Sequence, residues 1–500
     1  MTSVPTIWFD VEDLLHHFRS GMTRFSGIQR LAFEVYRAAE NMEAGSGRVR
    51  FVRHGRDAEP RLVPVTWASL ENRYRRSEAA SVPSRRSAAA HTAEGGRPAG
   101  EAASGSAIVS EDVNARGGLP SAAATQARAI ASLGEFGLAL ATHPAHKLAA
   151  AVGRAAARRA AAAALRSAVE EPGCSEPDFD GSAPISFEAE ARPGDVLVAL
   201  GSPWFMADYA KMVRWARDAR RLRFVALMYD MVPANRPEWC HEGTVRTFRA
   251  WRDSVLPLSD LVLAISRNTA EEVRAWASRA RIPLPGRVLP IPIGTGFSID
   301  AKPAKPRPSG SAWPRNYVLF VSTLEARKNH ALLVGVWRDL LDEERLGLRP
   351  TGSVPFLLFA GRVGWLVSDL LRQLENASWF DGRVQLIPDP TDAELAALYE
   401  GCLFSVFPSW HEGWGLPVSE ALSLGVPVLC SSAGALPEAG GDLARYLDPG
   451  DAGAWRSAVA ALIDSPGELA SWRAKIRASF RPVPWSITAH AVLEAARSLA

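Results

Sequence analysis

From residue 317 onward the chain alternates between short unbroken apolar runs and amphipathic stretches. The runs are "YVLFVST", "PFLLFAG", "VQLIP", "LFSVFPS", "PVLCSS" and "RYLD". Val, Leu, Ile and Phe in such short runs suit strands buried on both faces, and the helical patterns between them predict a parallel sheet wrapped by helices. The first three hundred residues repeat the habit with "TIWFD", "FVRH", "DVLVAL", "RFVALM", "DLVLAI" and "RVLPIP". Between the halves the prolines of "AKPAKPRPSGSAWP" forbid helix and predict an extended connection. The pattern therefore predicts an α/β fold of two doubly wound, Rossmann-like domains. The boundaries expected are a first domain over 1–300, a hinge over 301–315, a second domain over 316–481 and a last helix over 482–500. Ligands should bind in the cleft between the carboxyl ends of the two sheets.

The first half is interrupted over about 71–190. Residues 77–125 are rich in Ser, Ala, Gly, Pro and Arg, too poor in large apolar groups to offset ordering entropy, and are expected to be disordered. The stretch "HKLAAAVGRAAARRAAAAALRSAV" is then a strong helix former. Its Lys147, Arg154, Arg158, Arg159 and Arg166 suggest contact with an anionic membrane surface. A solvated spacer is the competing reading, favoured because Leu148, Val152 and Leu165 do not segregate opposite the charges.

Composition narrows the classes. An apolar fraction of 47% is that of a soluble globular protein, and a net charge of +3 offers no global field for nucleic acid. The four cysteines, Cys174, Cys240, Cys402 and Cys430, show no metal-ligand spacing and read as free thiols in a reducing cytoplasm. The opening "MTSVPTIWFDVEDLL" lacks a basic segment followed by an apolar run, so no signal peptide is expected. No apolar run is long enough to span a membrane.

Candidate chemistry concentrates at the ends of second-half strands. In "PSWHEGWGLPVSEALSLGVPVL" a strand runs into a turn and then a helix, with Pro417 in the first turn and Gly425 at its end. Gly413 and Gly415 bare the backbone where a ligand would approach, and the helix start at Leu416 and Pro417 offers unpaired N–H groups suited to a diphosphate. Glu420 has acceptor oxygens for the vicinal hydroxyls of a ribose, while Glu412 faces whatever lies beyond the phosphates. In "VLFVSTLEARKNHALL" a strand ends at Ser322 and Thr323, and Arg327 and Lys328 precede a helix opened by Asn329. Two cations aimed into the same cleft can neutralise the charge of a departing diphosphate, lysine as a point charge and arginine as a fork.

Three further stretches carry weaker signals. "SAGALPEAGGDLARYLDPGD" holds Glu438, Gly440, Gly441 and Asp442 and reads equally as a ligand loop or a plain surface loop. "VALMYDMVPANRPEW" ends a first-half strand with Asp230 facing the cleft. In "TRFSGIQRLAFEVY", Gly27 precedes a helix carrying Arg30, and Arg24 or Arg30 offers a hold for an acceptor phosphate or a clamp on the donor.

These motifs together resemble the GT-B fold retaining glycosyltransferases of family 4, which include bacterial mannosyltransferases of surface polysaccharides. The likeness rests on "VSTLEARKNHALL", "LLFAGRVGW", "DAELAALYEGC", "VFPSWHEGWGLPVSEALSLGVPVLCS" and "LPEAGGD", and in the first half on "SGIQR", "GDVLVALGSPW", "YDMVP" and "LSDLVLAISRNTAEEV". It implies that Glu420 binds the donor ribose, that Glu412 contacts the transferred sugar, and that Lys328 with Arg327 holds the diphosphate. Gly415, Leu416 and Pro417 would line the phosphate turn, with Gly413 and Thr323 beside the donor. Two positions depart from the family. Ser322-Thr323 stands where many members have Gly-Arg, and Tyr229 where many have His, which moves the polar role there to Asp230.

The resemblance implies a hexosyl transfer, with mannose and GDP-mannose favoured, to a glycan or undecaprenyl-linked glycan in O-antigen, capsule or exopolysaccharide synthesis. Fixed cations make a divalent metal unnecessary, so no cofactor is expected. Nucleic acid is not an expected partner. The expected location is the cytoplasm, with association at the inner face of the plasma membrane as an option. A glycogen-synthase-like glucan enzyme and a non-catalytic glycan- or nucleotide-sugar-binding protein are the alternatives.

Overall fold

The computed structural model describes residues 4–20, 25–55, 60–80, 186–284, 286–296 and 313–499. The first sheet is built from β1 (Ile7–Asp10), β2 (Val49–His54), β3 (Leu62–Val65), β4 (Val196–Ala199), β5 (Arg223–Met228), β6 (Leu261–Ala264) and β7 (Arg287–Pro290). Its order is β3-β2-β1-β4-β5-β6-β7. The second is built from β8 (Tyr317–Val321), β9 (Phe356–Ala360), β10 (Val384–Ile387), β11 (Ser405–Phe407), β12 (Val428–Ser431) and β13 (Arg445–Leu447), in the order β10-β9-β8-β11-β12-β13. The molecule is thus two parallel-sheet α/β domains, as the GT-B resemblance implies.

Both sheets reverse direction at their first strand. The chain leaves β1 toward β2 and returns beside it as β4; it leaves β8 toward β9 and returns beside it as β11. The loops at the carboxyl ends of such neighbours diverge to opposite faces and open a crevice between them. Residues 322–328 follow β8 and residues 408–415 follow β11, so the two strongest motifs flank one switch point. β1, β4, β5, β6 and β8 carry side chains that are almost entirely excluded from water, including Trp8, Phe9, Phe224 and Phe320. Each such large apolar group contributes roughly 1.5–3 kcal/mol on burial.

One strand departs from the expected parallel pattern. β3 pairs antiparallel with β2, with Pro64 opposite Val52. A proline is tolerated there because β3 is an edge and its N–H side needs no partner. Of the insert expected over about 71–190, residues 71–80 instead continue the helix Trp67–Ala80, whose start lies before the expected break, and residues 81–185, with the rest of the tract expected to be disordered and the anticipated Ala/Arg-rich helix, lie outside the described residues. So do residues 301–312 of the expected hinge. The helix Trp485–Arg497 packs on the first-domain helix Gly27–Met42, and Trp485 lies so close to Gly294 that a Cβ there would collide with the indole. Thr295 N donates to Val483 O at 2.8 Å just before that helix. No helix among the described residues is long and apolar enough to cross a membrane.

Candidate active site

The loop after β8 tightens into a single turn over Ala326–Lys328, and Asn329 adopts a left-handed conformation (φ 60°) before the helix His330–Arg345. Its amide Nδ2 donates to Pro408 O at 3.2 Å and to Pro449 O at 3.0 Å, and Trp410 N donates to Arg327 O at 2.9 Å. These bonds lace the loop after β8 to the loops after β11 and β13, so Arg327 and Lys328 are set against Glu412. Lys328 Nζ lies 2.6 Å from Glu412 Oε1, and Arg327 Nη1 lies 2.6 Å from Glu412 Oε2. Burial pushes the Glu412 carboxyl up, but the two cations more than reverse this and hold it down to about 2.

The two cations are not equivalent. Arg327 donates to Glu412, to His411 O at 2.8 Å and through Nη2 to Glu325 at 2.6 Å, so most of its fork is committed to the protein. An ammonium has three donors, and Glu412 takes one of those on Lys328. Lys328 is therefore the cation with capacity left for a phosphate oxygen, and Arg327 the one that fixes Glu412. Ser322 turns away from the crevice, its Oγ 3.2 Å from His330 Nε2. Burial, helped by Lys328, pushes the His330 imidazole down to about 3, so it stays neutral. Thr323 is half-buried beside Gly364.

The helix Leu416–Ser423 begins with Pro417 in its first turn and Gly415 as its cap, at φ 111°, a conformation L side chains rarely adopt. Gly413 has another explanation than ligand approach. A Cβ there would run into the carbonyl oxygen of Tyr229 and crowd Asp230, so this glycine lets the second domain close onto the end of β5. Gly27 stands on the same seam, where an added Cβ would lie 3.6 Å from Leu416 Cδ1. Asp230 is half-buried at that end of β5, and its Oδ1 accepts from Val232 N at 2.9 Å. Tyr229 points back into its own domain, donating to Leu200 O at 2.6 Å. The position where the family often has His therefore offers the crevice backbone, not a side chain.

Glu420 is 4% exposed and meets the first domain directly. Arg30 Nη1 lies 3.0 Å from its Oε1, and Arg30 Nη2 is paired with Asp392 at the start of the helix Asp392–Gly401. Burial raises the Glu420 carboxyl to about 7, Asp392 adding to the rise and Arg30 opposing it. Arg30 was expected at an acceptor phosphate or as a clamp on the donor; here it is paired with the acid expected to hold the ribose. Arg24 lies outside the described residues. Glu438 also reaches across, accepting from Arg267 N and Asn268 N at 2.9 Å each and so capping a first-domain helix. The contact docks that loop on the first domain, which the sequence reading did not anticipate.

The first domain holds a network that the motifs missed. Asp10, at the end of β1, accepts from Tyr209 at 2.7 Å and pairs with His54 Nε2 at 2.9 Å. Asp13 accepts from Gln29 at 2.9 Å and from Ser202. Burial pushes the His54 ring down, but Asp10 outweighs it and raises the imidazole overall; burial lifts the Asp10 carboxyl, and His54 leads the groups that bring it below its usual range. Gly201 is required beside Asp13, whose side chain occupies the space of a Cβ. The available signal was "FDVED" directly after an apolar run, because acids at a strand's carboxyl end near a switch point sit at the crevice. Among the described residues no three His, Cys, Asp or Glu side chains gather as a metal site. Cys402 and Cys430 are buried free thiols and Cys240 is half-buried, while Cys174 lies outside the described residues.

Residues 301–479 match the family model of the glycosyl transferases group 1. The strands of the second sheet, β8 to β13, lie within the matched residues. Glu412, Glu420, Arg327 and Lys328 all fall there too. The chain is 29% identical over 217 residues to the Serotype-specific mannosyltransferase WbdA of Escherichia coli, covering 41% of this chain and 25% of that protein. It is 36% identical over 162 residues to the O-antigen chain mannosyltransferase B of Escherichia coli, covering 32% of this chain and 39% of that one. The chain thus spans between a quarter and two fifths of these relatives. The crystal structure of TarM is similar at 14% identity and a TM-score of 0.44, over 61% of this chain and 54% of that one.

Proposed function

We propose that the chain is a retaining hexosyltransferase of bacterial surface polysaccharide synthesis. It takes mannose, from GDP-mannose, to a glycan or undecaprenyl-linked glycan, working from the cytoplasm at the inner face of the plasma membrane without a metal. One observation carries the reading: inside a group 1 domain, Glu412 is gripped by Lys328 and Arg327 at 2.6 Å beside the glycine-bared start of the Leu416 helix. The similar proteins named as mannosyltransferases support the choice of mannose.

The roles follow from charge. The diphosphate sits at the N-terminus of the Leu416 helix, where the backbone N–H of Leu416 and the helix dipole favour an anion. Lys328 takes the phosphate oxygens, and Arg327 keeps Glu412 ionised beside the sugar. Breaking the bond between the anomeric carbon and the diphosphate leaves an oxocarbenium-like ring and a leaving group that gains negative charge. Lys328 and the Leu416 amide stabilise that charge without reorganising. The acceptor hydroxyl attacks from the face the diphosphate leaves, its proton passes to the leaving phosphate oxygen, and configuration is retained. Glu412 opposes the ring's positive charge across the reaction. The seam formed by Gly413 against Tyr229 lets the domains shut water out of the site, where it would otherwise hydrolyse the donor.

The experiment is release of nucleoside diphosphate from a panel of nucleotide sugars, with and without a lipid-linked glycan. Acceptor-dependent release from GDP-mannose with retained configuration is expected. A panel in which no nucleotide sugar is turned over or bound overturns the reading.

A further inference from the structure

Arg30 is a first-domain residue whose guanidinium ends on two second-domain acids. Nη1 is 3.0 Å from Glu420 Oε1 and Nη2 is paired with Asp392, and the Arg30 side chain is only 18% exposed. Glu420 itself is buried, and no bond of its Oε2 is found among the described residues. One oxygen of the acid is thus held by the opposite domain, and the other remains for a ligand hydroxyl. We propose that Arg30 is a positioning residue that makes capture of the donor's ribose by Glu420 depend on closure of the first domain. The proposal rests on the reading above that Glu420 accepts the ribose hydroxyls.

The physical need is local. A ribose diol donates to a carboxylate, and a protonated Glu420 would lose one of its acceptor positions. The groups facing Glu420 are Arg30 from the Gly27 helix and Asp392 and Tyr399 from the Asp392–Gly401 helix; Glu34 and Tyr74 in turn face Arg30. Burial and Asp392 both favour the protonated acid, and Arg30 opposes them. With the domains apart, Glu420 keeps Asp392 and loses its only cation among these groups, so it takes up a proton and binds ribose poorly. With the domains together, the guanidinium ionises it and fixes its rotamer. Donor binding and closure are then linked through one shared side chain, and each favours the other by the same factor.

The test compares a nucleoside diphosphate with its 2′-deoxy form on the full chain, by calorimetry from pH 5.5 to 9. The ratio of the two affinities cancels titration of the phosphates and isolates the ribose contact. Wild type is expected to prefer the ribonucleotide about tenfold or more at high pH, the scale of a hydrogen bond to a charged group, with the preference fading as pH falls through about 7. Arg30→Met should move that midpoint up by about one unit or more, because an opposite charge at this range shifts a carboxyl by that much. Asp392→Asn should move it down, because it removes the neighbouring negative charge and leaves Arg30 to Glu420 alone. A role confined to folding would not shift the midpoint in opposite directions, and the Asn variant decides the matter if the Met variant does not fold. Coincident midpoints in wild type and variants overturn the proposal while the ribose reading stands. A ribose preference that survives Glu420→Gln overturns that reading and the proposal together.

Discussion

The two switch points of this molecule are built differently. At the second, between β8 and β11, Arg327, Lys328, Glu412 and Glu420 come from two short segments, residues 322–328 and 408–420. At the first, between β1 and β4, Asp10, Asp13, Gln29, His54, Ser202 and Tyr209 come from four separate segments. The second site is charged, with Lys328 keeping donors to spare. The first is a closed network in which the acids are occupied by the protein itself. A group held in reserve for a ligand is exposed to chemistry, whereas a satisfied buried network specifies a rigid wall. We read the second switch point as the reacting side and the first as the surface it closes upon.

The largest effect that would break this contrast is on turnover. Replacing Lys328 or Glu412 with Ala should cut the rate of nucleotide release at least about a hundredfold, the scale of removing one electrostatic contact at a reaction centre. Losses of only a few-fold in both would erase the distinction between the sites.

The seam between the domains should come next. Gly413→Ala puts a methyl group into the Tyr229 carbonyl and holds the domains apart, so a loss of about tenfold or more in turnover is expected, together with a weaker preference for the ribonucleotide over its 2′-deoxy form. Steady-state kinetics beside calorimetry on the same variant would separate these.

Breaking the first network should act on stability. Asp10→Ala removes the carboxylate paired with the His54 ring and leaves it only the more distant Glu12, at a cost of about 3 kcal/mol near pH 5. The sign follows from the two shifts. His54 is raised, so its contribution is complete below its ordinary 6.5 and fades as pH climbs through the folded value. Asp10 is lowered, so its contribution is complete above 3.8 and fades as pH falls. Denaturant titrations should therefore show the gap between wild type and variant widest between those limits and narrower at pH 9. The smallest effect belongs to Tyr229→Phe, which loses one buried hydrogen bond to Leu200 O and about 1 kcal/mol of stability. Because that hydroxyl points into the first domain, turnover should change by less than about twofold, which an assay on the purified variant would check.

The chain order of apolar runs determined much by itself. Among the described residues, twelve strands lie on the short apolar runs the sequence offered, and the pairing of glutamates around "GWGLP" and the "ARK" turn was readable because each element of that site is local in sequence. β3 was not readable, since Pro64 argues against a strand until an edge position excuses it. The tertiary structure alone decided which groups meet across long separations: Arg30 with Glu420 and Asp392, Glu438 with the start of the Arg267 helix, and Gly413 with the Tyr229 carbonyl. Residue type and spacing describe what a segment can do within its own few turns. Which distant charge will sit three ångströms away depends on how two sheets are set against each other, and no local pattern encodes that.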